Sequence, residues 1–146
     1  MWLTADTLRN GAASGHYYEN YVVMELVKNY AYAKSKVNIT YFRDSNAKEI
    51  DVFIEENNVI HPLEIKKSAS PDRREVKKYS VIDKASLNRG NGGIICMCEE
   101  PIPIDKDNCF IPSNLIWITP IAKVYFQETK QSPKALLFVL VCPEND

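Results

Sequence analysis

The sequence predicts a mixed α/β fold, a central mixed sheet flanked by helices with elements in the order α-β-β-β-α-β. Three observations predict it. An apolar stripe at helical spacing begins at Ser14. Two segments that alternate apolar and charged residues, EIDVFIEE at 49–56 and PLEIKK at 62–67, lie either side of a short polar turn. GIICMC at 93–98 is a continuous apolar run of strand length. The chain's 146 residues, 45% hydrophobic and 25% charged, suffice for one globular domain with a real core.

Residues 1–13 carry little pattern and are expected to be a leading segment. From Ser14, Val22, Val23, Leu26, Val27 and Tyr30 form the inward stripe of a helix. Extended backward, the stripe reaches Glu19. A carboxylate on a core-facing side is costly unless paired or bound to metal. Glu19 also suits a place near the positive end of the helix dipole, reaching solvent, and periodicity alone favours that assignment. KVNITYFRD at 36–44 is a strand ended by the turn-forming Asp44-Ser45-Asn46. The two alternating strands follow. Ser68-Ala69-Ser70-Pro71 is a loop, with Ser70 as N-cap and Pro71 at the first position of a basic helix running to about Leu87. Val76, Tyr79, Ile82 and Ala85 are its inward residues. Gly90-Asn91-Gly92-Gly93 breaks the helix, and GIICMC reads as a strand buried on both faces. After the proline-rich stretch at 101–103, CFIP and LIWI read as edge strands.

The alternating pair is the most informative feature. With Asn57-Asn58 as a two-residue turn, both at φ > 0, Glu56 faces Val59 and paired residue numbers sum to 115. Asp51 then lies opposite Glu64 and Glu49 opposite Lys66, all on one face, while Ile50, Val52, Ile54, Leu63 and Ile65 take the other. Opposed carboxylates repel at a Cβ separation of about 5 Å, and a divalent cation between them removes the repulsion. Asp, Glu and Lys together indicate a metal-dependent hydrolytic site. Charged residues alternating along a hairpin also mark a solvated sheet face, with Glu49–Lys66 an ordinary ion pair; that leaves Asp51 opposite Glu64 unexplained. The hairpin alone leaves both open, and a three-residue loop would turn Asp51 to the other face.

The net charge of −1 gives no global attraction to nucleic acid, but residues 66–89 hold eight basic residues against three acidic ones. That local +5 is what holding phosphates beside a carboxylate site requires; exposed Lys and Arg on a helix are also commonplace. The start lacks the apolar core of a signal peptide, and no segment approaches the ~18 apolar residues of a membrane span. The longest apolar candidate is ALLFVLVC at 135–142. Cys96, Cys98, Cys109 and Cys142 show no zinc spacing, and His16 and His61 are far apart. A cytoplasmic protein with free thiols is expected. No glycine is followed by Lys and Ser or Thr, so no ATPase activity is expected from this chain alone.

Asp51 followed by Glu64-Ile65-Lys66, in this order of elements, resembles the PD-(D/E)XK nuclease fold shared by restriction endonucleases and Holliday-junction resolvases. SGHYYENYVVMELVKN, YFRDSNAKEIDVFIE, HPLEIKKSASPD and GGIICMCEEPIPID resemble, more closely, the C-terminal domain of a family of prokaryotic AAA+-type ATPases. That domain is catalogued as one of unknown function and regarded as nuclease-like. The resemblance covers roughly residues 5–118 and implies a PD-(D/E)XK-like domain at 14–118, with 119–146 a tail of unknown role. An ATPase domain and a winged-helix segment normally precede it. Neither is in this chain, which is therefore expected to be an excised domain or a remnant of one.

The resemblance implies that Asp51 and Glu64 bind Mg²⁺ or Mn²⁺, with the Ile65 carbonyl as a third ligand. Lys66 is the motif lysine, and Glu19 is the first-helix carboxylate that joins the site. Where the motif opens with Pro-Asp, this chain has Ile50-Asp51, a common variant. Nucleic acid is the implied partner, with Arg73, Arg74, Lys77 and Lys78 on its backbone. Two other roles fit the same resemblance: an inactive nuclease fold that docks DNA for its ATPase, and an assembly role without nucleic acid.

Overall fold

The computed structural model describes residues 4–34, 36–45, 48–117, 126–128 and 136–138. It is a mixed α/β structure built on a six-stranded mixed sheet. Two helices open it, α1 (Ala5–Asn10) and α2 (Ser14–Tyr32), so the leading segment holds a helix that its pattern does not announce. Strands β1 (Asn38–Arg43), β2 (Glu49–Glu56) and β3 (Val59–Lys66) form an antiparallel meander. A 3₁₀ segment (Arg73–Tyr79) and α3 (Ser80–Lys84) lead to β4 (Gly92–Cys96), which joins β3 in parallel. Short β5 (Ile102–Pro103) and β6 (Asn108–Pro112) complete the order β1-β2-β3-β4-β6-β5. A second 3₁₀ turn (Ser113–Trp117) follows, then β7 (Phe126–Glu128) paired with β8 (Leu136–Phe138). Apart from β7 and β8, residues 119–146, Cys142 included, lie outside the described residues.

The hairpin forms with the register its loop dictates. Asn57 and Asn58 have φ of 51° and 66°, and the pairs from Glu56↔Val59 to Val52↔Leu63 all sum to 115. Two cores pack on the two faces of the sheet. Under α2, Val22, Leu26 and Tyr30 meet Val52, Ile54, Leu63 and Ile65. On the other face, Val76 and Tyr79 meet Ile94, Cys96, Phe110 and Ile50. Ile50 was expected beside Val52 and Ile54. Thr40 pairs with Phe53 but Phe42 pairs with Ile50, so Asp51 and Val52 together oppose Tyr41. This β-bulge interrupts the alternation and sends Ile50 to the opposite core.

Other expectations change for identifiable reasons. Val27 is exposed; Glu25 is buried instead, its charge met by Lys28 one turn on. The basic helix is not one α-helix from Pro71 to Leu87. Asp72, not Ser70, caps it by accepting from the Arg74 amide, and the first part winds as 3₁₀. At three residues per turn, Val76 and Tyr79 stack on one side. Ala85 is exposed, and Ser86 at φ 56° ends the segment. The run CFIP is an inner strand: β6 lies between β4 and β5 and is buried throughout. The edge is β5, whose Pro103 has no amide hydrogen to offer a further strand. LIWI is largely the second 3₁₀ turn, tied to α2 by the Asn29 amide donating to the Ile116 carbonyl.

Candidate metal centre and the basic cleft beside it

The site begins where β2 and β3 part. Their pairing stops at Val52↔Leu63. Beyond it, Ile50 and Glu49 stay with β1, while Glu64, Ile65 and Lys66 pair with Ile94, Ile95 and Cys96 of β4. Asp51 sits in the notch, at the bulge. Its Oδ2 accepts from the Ile65 amide at 2.7 Å, filling a place the ladder leaves open. Burial, followed by the nearby Glu64 charge and, more weakly, Glu19, pushes Asp51 up from its usual 3.8 to about 6; the Ile65 amide and Lys66 oppose the shift. A half-buried carboxylate raised this far is one that gains from a nearby cation.

Glu64 lies one residue before the Ile65 amide that Asp51 accepts from, and it is 1% exposed. The ammoniums of Lys78 and Lys66 both reach its Oε1, at 2.6 and 2.7 Å. Its Oε2 is buried with no hydrogen-bond partner among the described residues. An unpartnered buried oxygen of a charged group costs at least about 1–3 kcal/mol. Glu75 stands behind the lysines, 2.8 Å from Lys78 and 4.0 Å from Lys66. Burial works against the Lys66 charge, but Glu64, Asp51 and Glu75 outweigh it and raise its pKa, so Lys66 is held as an ammonium. Tyr79 closes the floor, its hydroxyl donating to the Gly93 carbonyl at 2.6 Å.

The donor set fits a magnesium-type ion. Such an ion keeps several waters and takes one or two carboxylates. Asp51 and the free Oε2 of Glu64 are two such groups, and the cluster carries three carboxylates against two ammoniums. Among the described residues no group of three or more His, Cys, Asp or Glu side chains is arranged to cage a metal. An all-protein cage is therefore not what the site offers. Glu19 stands at the margin. Its side chain is 41% exposed and 4.0 Å from His16, yet near enough to add to the Asp51 shift. It lies beyond the first turn of α2, where dipole stabilisation has faded. The expected Glu49–Lys66 cross-strand pair is replaced: Lys66 turns to Glu64 and Glu75, and Glu49 lines a neighbouring cleft.

That cleft, about 490 Å³ and open, is lined by Lys48, Glu49, Arg74, Lys77 and Lys78. Arg74 is held by Asp72 at 2.7 Å and Lys77 is exposed. Arg73 lies apart, its guanidinium 5.7 Å from the centre of the Phe110 ring. Of the four basic residues singled out in the sequence, Arg74, Lys77 and Lys78 share the cleft, and Lys78 also enters the carboxylate cluster. Sequence reasoning missed Glu75, Tyr79 and Lys48 as members of this neighbourhood. The three-residue spacing of Glu75 and Lys78 was the available signal for the first. Lys48 joins only because β2 begins beside the 3₁₀ segment.

The thiols lie elsewhere in purpose. Cys96 and Cys98 have sulfurs 3.2 Å apart, and burial first, then Cys96, pushes the Cys98 thiol up to about 12, the range of an inert thiol. No helix among the described residues is long and apolar enough to cross a membrane.

The profile of a family described as "Domain of unknown function (DUF4143)" matches residues 14–116, a span containing α2, the hairpin, the 3₁₀ segment and β6. No curated protein and no solved structure matches the chain.

Proposed function

Since the chain belongs to the DUF4143 family, a domain of unknown function, we propose its function from the site: a PD-(D/E)XK-like nuclease domain of an AAA+-type ATPase, hydrolysing phosphodiesters of nucleic acid with Mg²⁺ or Mn²⁺. One observation carries this. A fully buried glutamate, Glu64, has one oxygen saturated by two lysines and the other unpartnered, beside Asp51 raised to about 6. A solvated sheet face does not bury and orphan a carboxylate.

Asp51 and Glu64 would hold the ion, with the Ile65 carbonyl as a third ligand. The ion, when bound, supplies positive charge at the scissile phosphate and favours ionisation of water. Lys66, kept as an ammonium by Glu64, is a charged donor for the phosphate oxygen on which charge develops. It is not a base, because its proton is held more tightly than usual. Glu19 accepts a hydrogen bond from a water at the margin of the site. Lys48, Arg74 and Lys77 hold the backbone phosphates, and such contacts position a strand without reading its bases. The setting is cytoplasmic, and the ATPase portion is the partner that delivers or moves the nucleic acid.

A docking role without catalysis is the second reading. It is favoured by the two lysines that already neutralise Glu64 Oε1 and by the absence, among the described residues, of a group of three acidic or other metal-ligating side chains arranged around one point. A panel of single-stranded, duplex and branched DNA with Mg²⁺ or Mn²⁺ separates the two. The nuclease proposal predicts metal-dependent cleavage that Asp51→Asn and Lys66→Ala each reduce at least about a hundredfold, while DNA binding stays within about threefold. Salt-sensitive binding with no cleavage by the native sequence supports docking instead.

A further inference from the structure

We infer that Lys78 is a two-position residue: it is the internal counter-cation of Glu64 in the metal-free protein, and metal binding releases it to the basic cleft, where it holds a phosphate. This rests on the metal centre proposed above. Lys78 stands at the boundary of both sites. Its Nζ is 2.6 Å from Glu64 Oε1 and 2.8 Å from Glu75, and the same side chain lines the cleft with Lys48, Arg74 and Lys77. A divalent ion on Glu64 would bring a third cation within hydrogen-bonding range of one carboxyl group. The ion adds its charge to two ammoniums already on that group, and their mutual repulsion favours the departure of one.

Lys66 and Lys78 are similarly exposed, at 37% and 31%, but Lys78 has the second position to move to. Glu75 is 4.0 Å from Lys66 but 2.8 Å from Lys78, and of the two it is Lys78 that lines the open cleft. Its flexible four-carbon stem carries a point charge with three donors, so it can change partner without backbone movement. Each state then supplies what it needs. Without metal, the buried Glu64 keeps its charge balanced. With metal, the cleft gains a cation as the ion arrives, so metal and nucleic acid bind with positive coupling.

The test measures Mn²⁺ affinity by titration calorimetry, and duplex DNA affinity with and without Ca²⁺ as a cation tested for binding free of turnover. Lys78→Met should bind Mn²⁺ about fivefold tighter than the native protein, because the ion no longer competes with an ammonium for Glu64. It should also lose the metal-dependent gain in DNA affinity that the native protein shows. Lys78→Gln repeats the test with a side chain that still donates a hydrogen bond. Lys77→Met, whose lysine lines the cleft but makes no bond to Glu64, should weaken DNA binding alike with and without metal and leave Mn²⁺ affinity unchanged. Unchanged or weaker Mn²⁺ binding by both Lys78 variants, or a metal-dependent gain that survives them, overturns the inference while leaving the metal centre standing. Absence of Mn²⁺ binding by the native protein overturns both.

Discussion

Asp51 is where the physics of the site can be read most directly. Its carboxyl is better accommodated neutral, with its pKa at about 6 instead of 3.8, first because of burial and then because of Glu64. The sign follows: relative to the unfolded chain, the metal-free protein loses stability as pH rises from about 4 through about 6. Asn at this position keeps an oxygen for the Ile65 amide and carries no charge. With chelator present, Asp51→Asn should match the native Tm below about pH 4 and exceed it by roughly 3 °C above pH 7, the effect of about 1 kcal/mol once partial exposure is allowed for. Mg²⁺ should raise the native Tm and leave the variant's nearly unchanged. An Asp51→Asn gap that is the same at pH 4 and pH 7 would mean that the charge is not the cause. Glu64 and Lys66 were legible on one face from strand alternation, but Asp51 joins them as the acceptor of the Ile65 amide where the ladder opens, not as the cross-strand partner of Glu64 that alternation assigns. Lys78 was not legible. Its contact with Glu64 depends on a 3₁₀ turn capped by Asp72, which sets Glu75 and Lys78 in line at three residues per turn, whereas a 3.6-residue period drawn through Pro71–Leu87 sets them about 60° apart.

At the scale of elements, the hairpin positions everything else. A slip of one residue would turn Glu64 into the α2 core and Leu63 toward the lysines. Asn57 and Asn58 prevent it by adopting φ of 51° and 66°. Asn58→Ala keeps the Cβ in left-handed backbone but removes the polar side chain that lets asparagine tolerate it, and should cost about 1 kcal/mol in urea unfolding, whereas Asn58→Gly should be within about 0.5 kcal/mol of native. Equal losses for both would show that the asparagine side chain, not the turn conformation, is what matters. The turn was readable because few residue types tolerate it. The bulge at Asp51-Val52 was not, since polar and apolar residues alternate through it as in a regular strand; only the shift from Thr40↔Phe53 to Phe42↔Ile50 reveals it. The inner place of β6 was hidden for a related reason. A five-residue apolar run does not say how many strands flank it.

Over the whole molecule, the mixed α/β class legible in the sequence is found, with the order α-β-β-β-α-β running from α2 to β4 once the 3₁₀ segment is joined to α3, and the family match at residues 14–116 spans the elements that build the site. The two cores grip the sheet from opposite faces, and the notch between β2 and β3 opens at the end of the hairpin away from its turn. Asp51, Glu64 and Lys66 line that notch, with the cleft of Lys48, Arg74, Lys77 and Lys78 beside it. A divalent cation in that notch is what the nuclease proposal depends on, and paramagnetic Mn²⁺, titrated into isotope-labelled protein and followed by backbone amide NMR, reports where such an ion sits. The amides of Asp51, Glu64, Ile65 and Lys66 should broaden first, those at the Asn57-Asn58 turn should stay sharp, and Asp51→Asn should remove the effect. Broadening centred elsewhere, or identical in Asp51→Asn, would rule the site out.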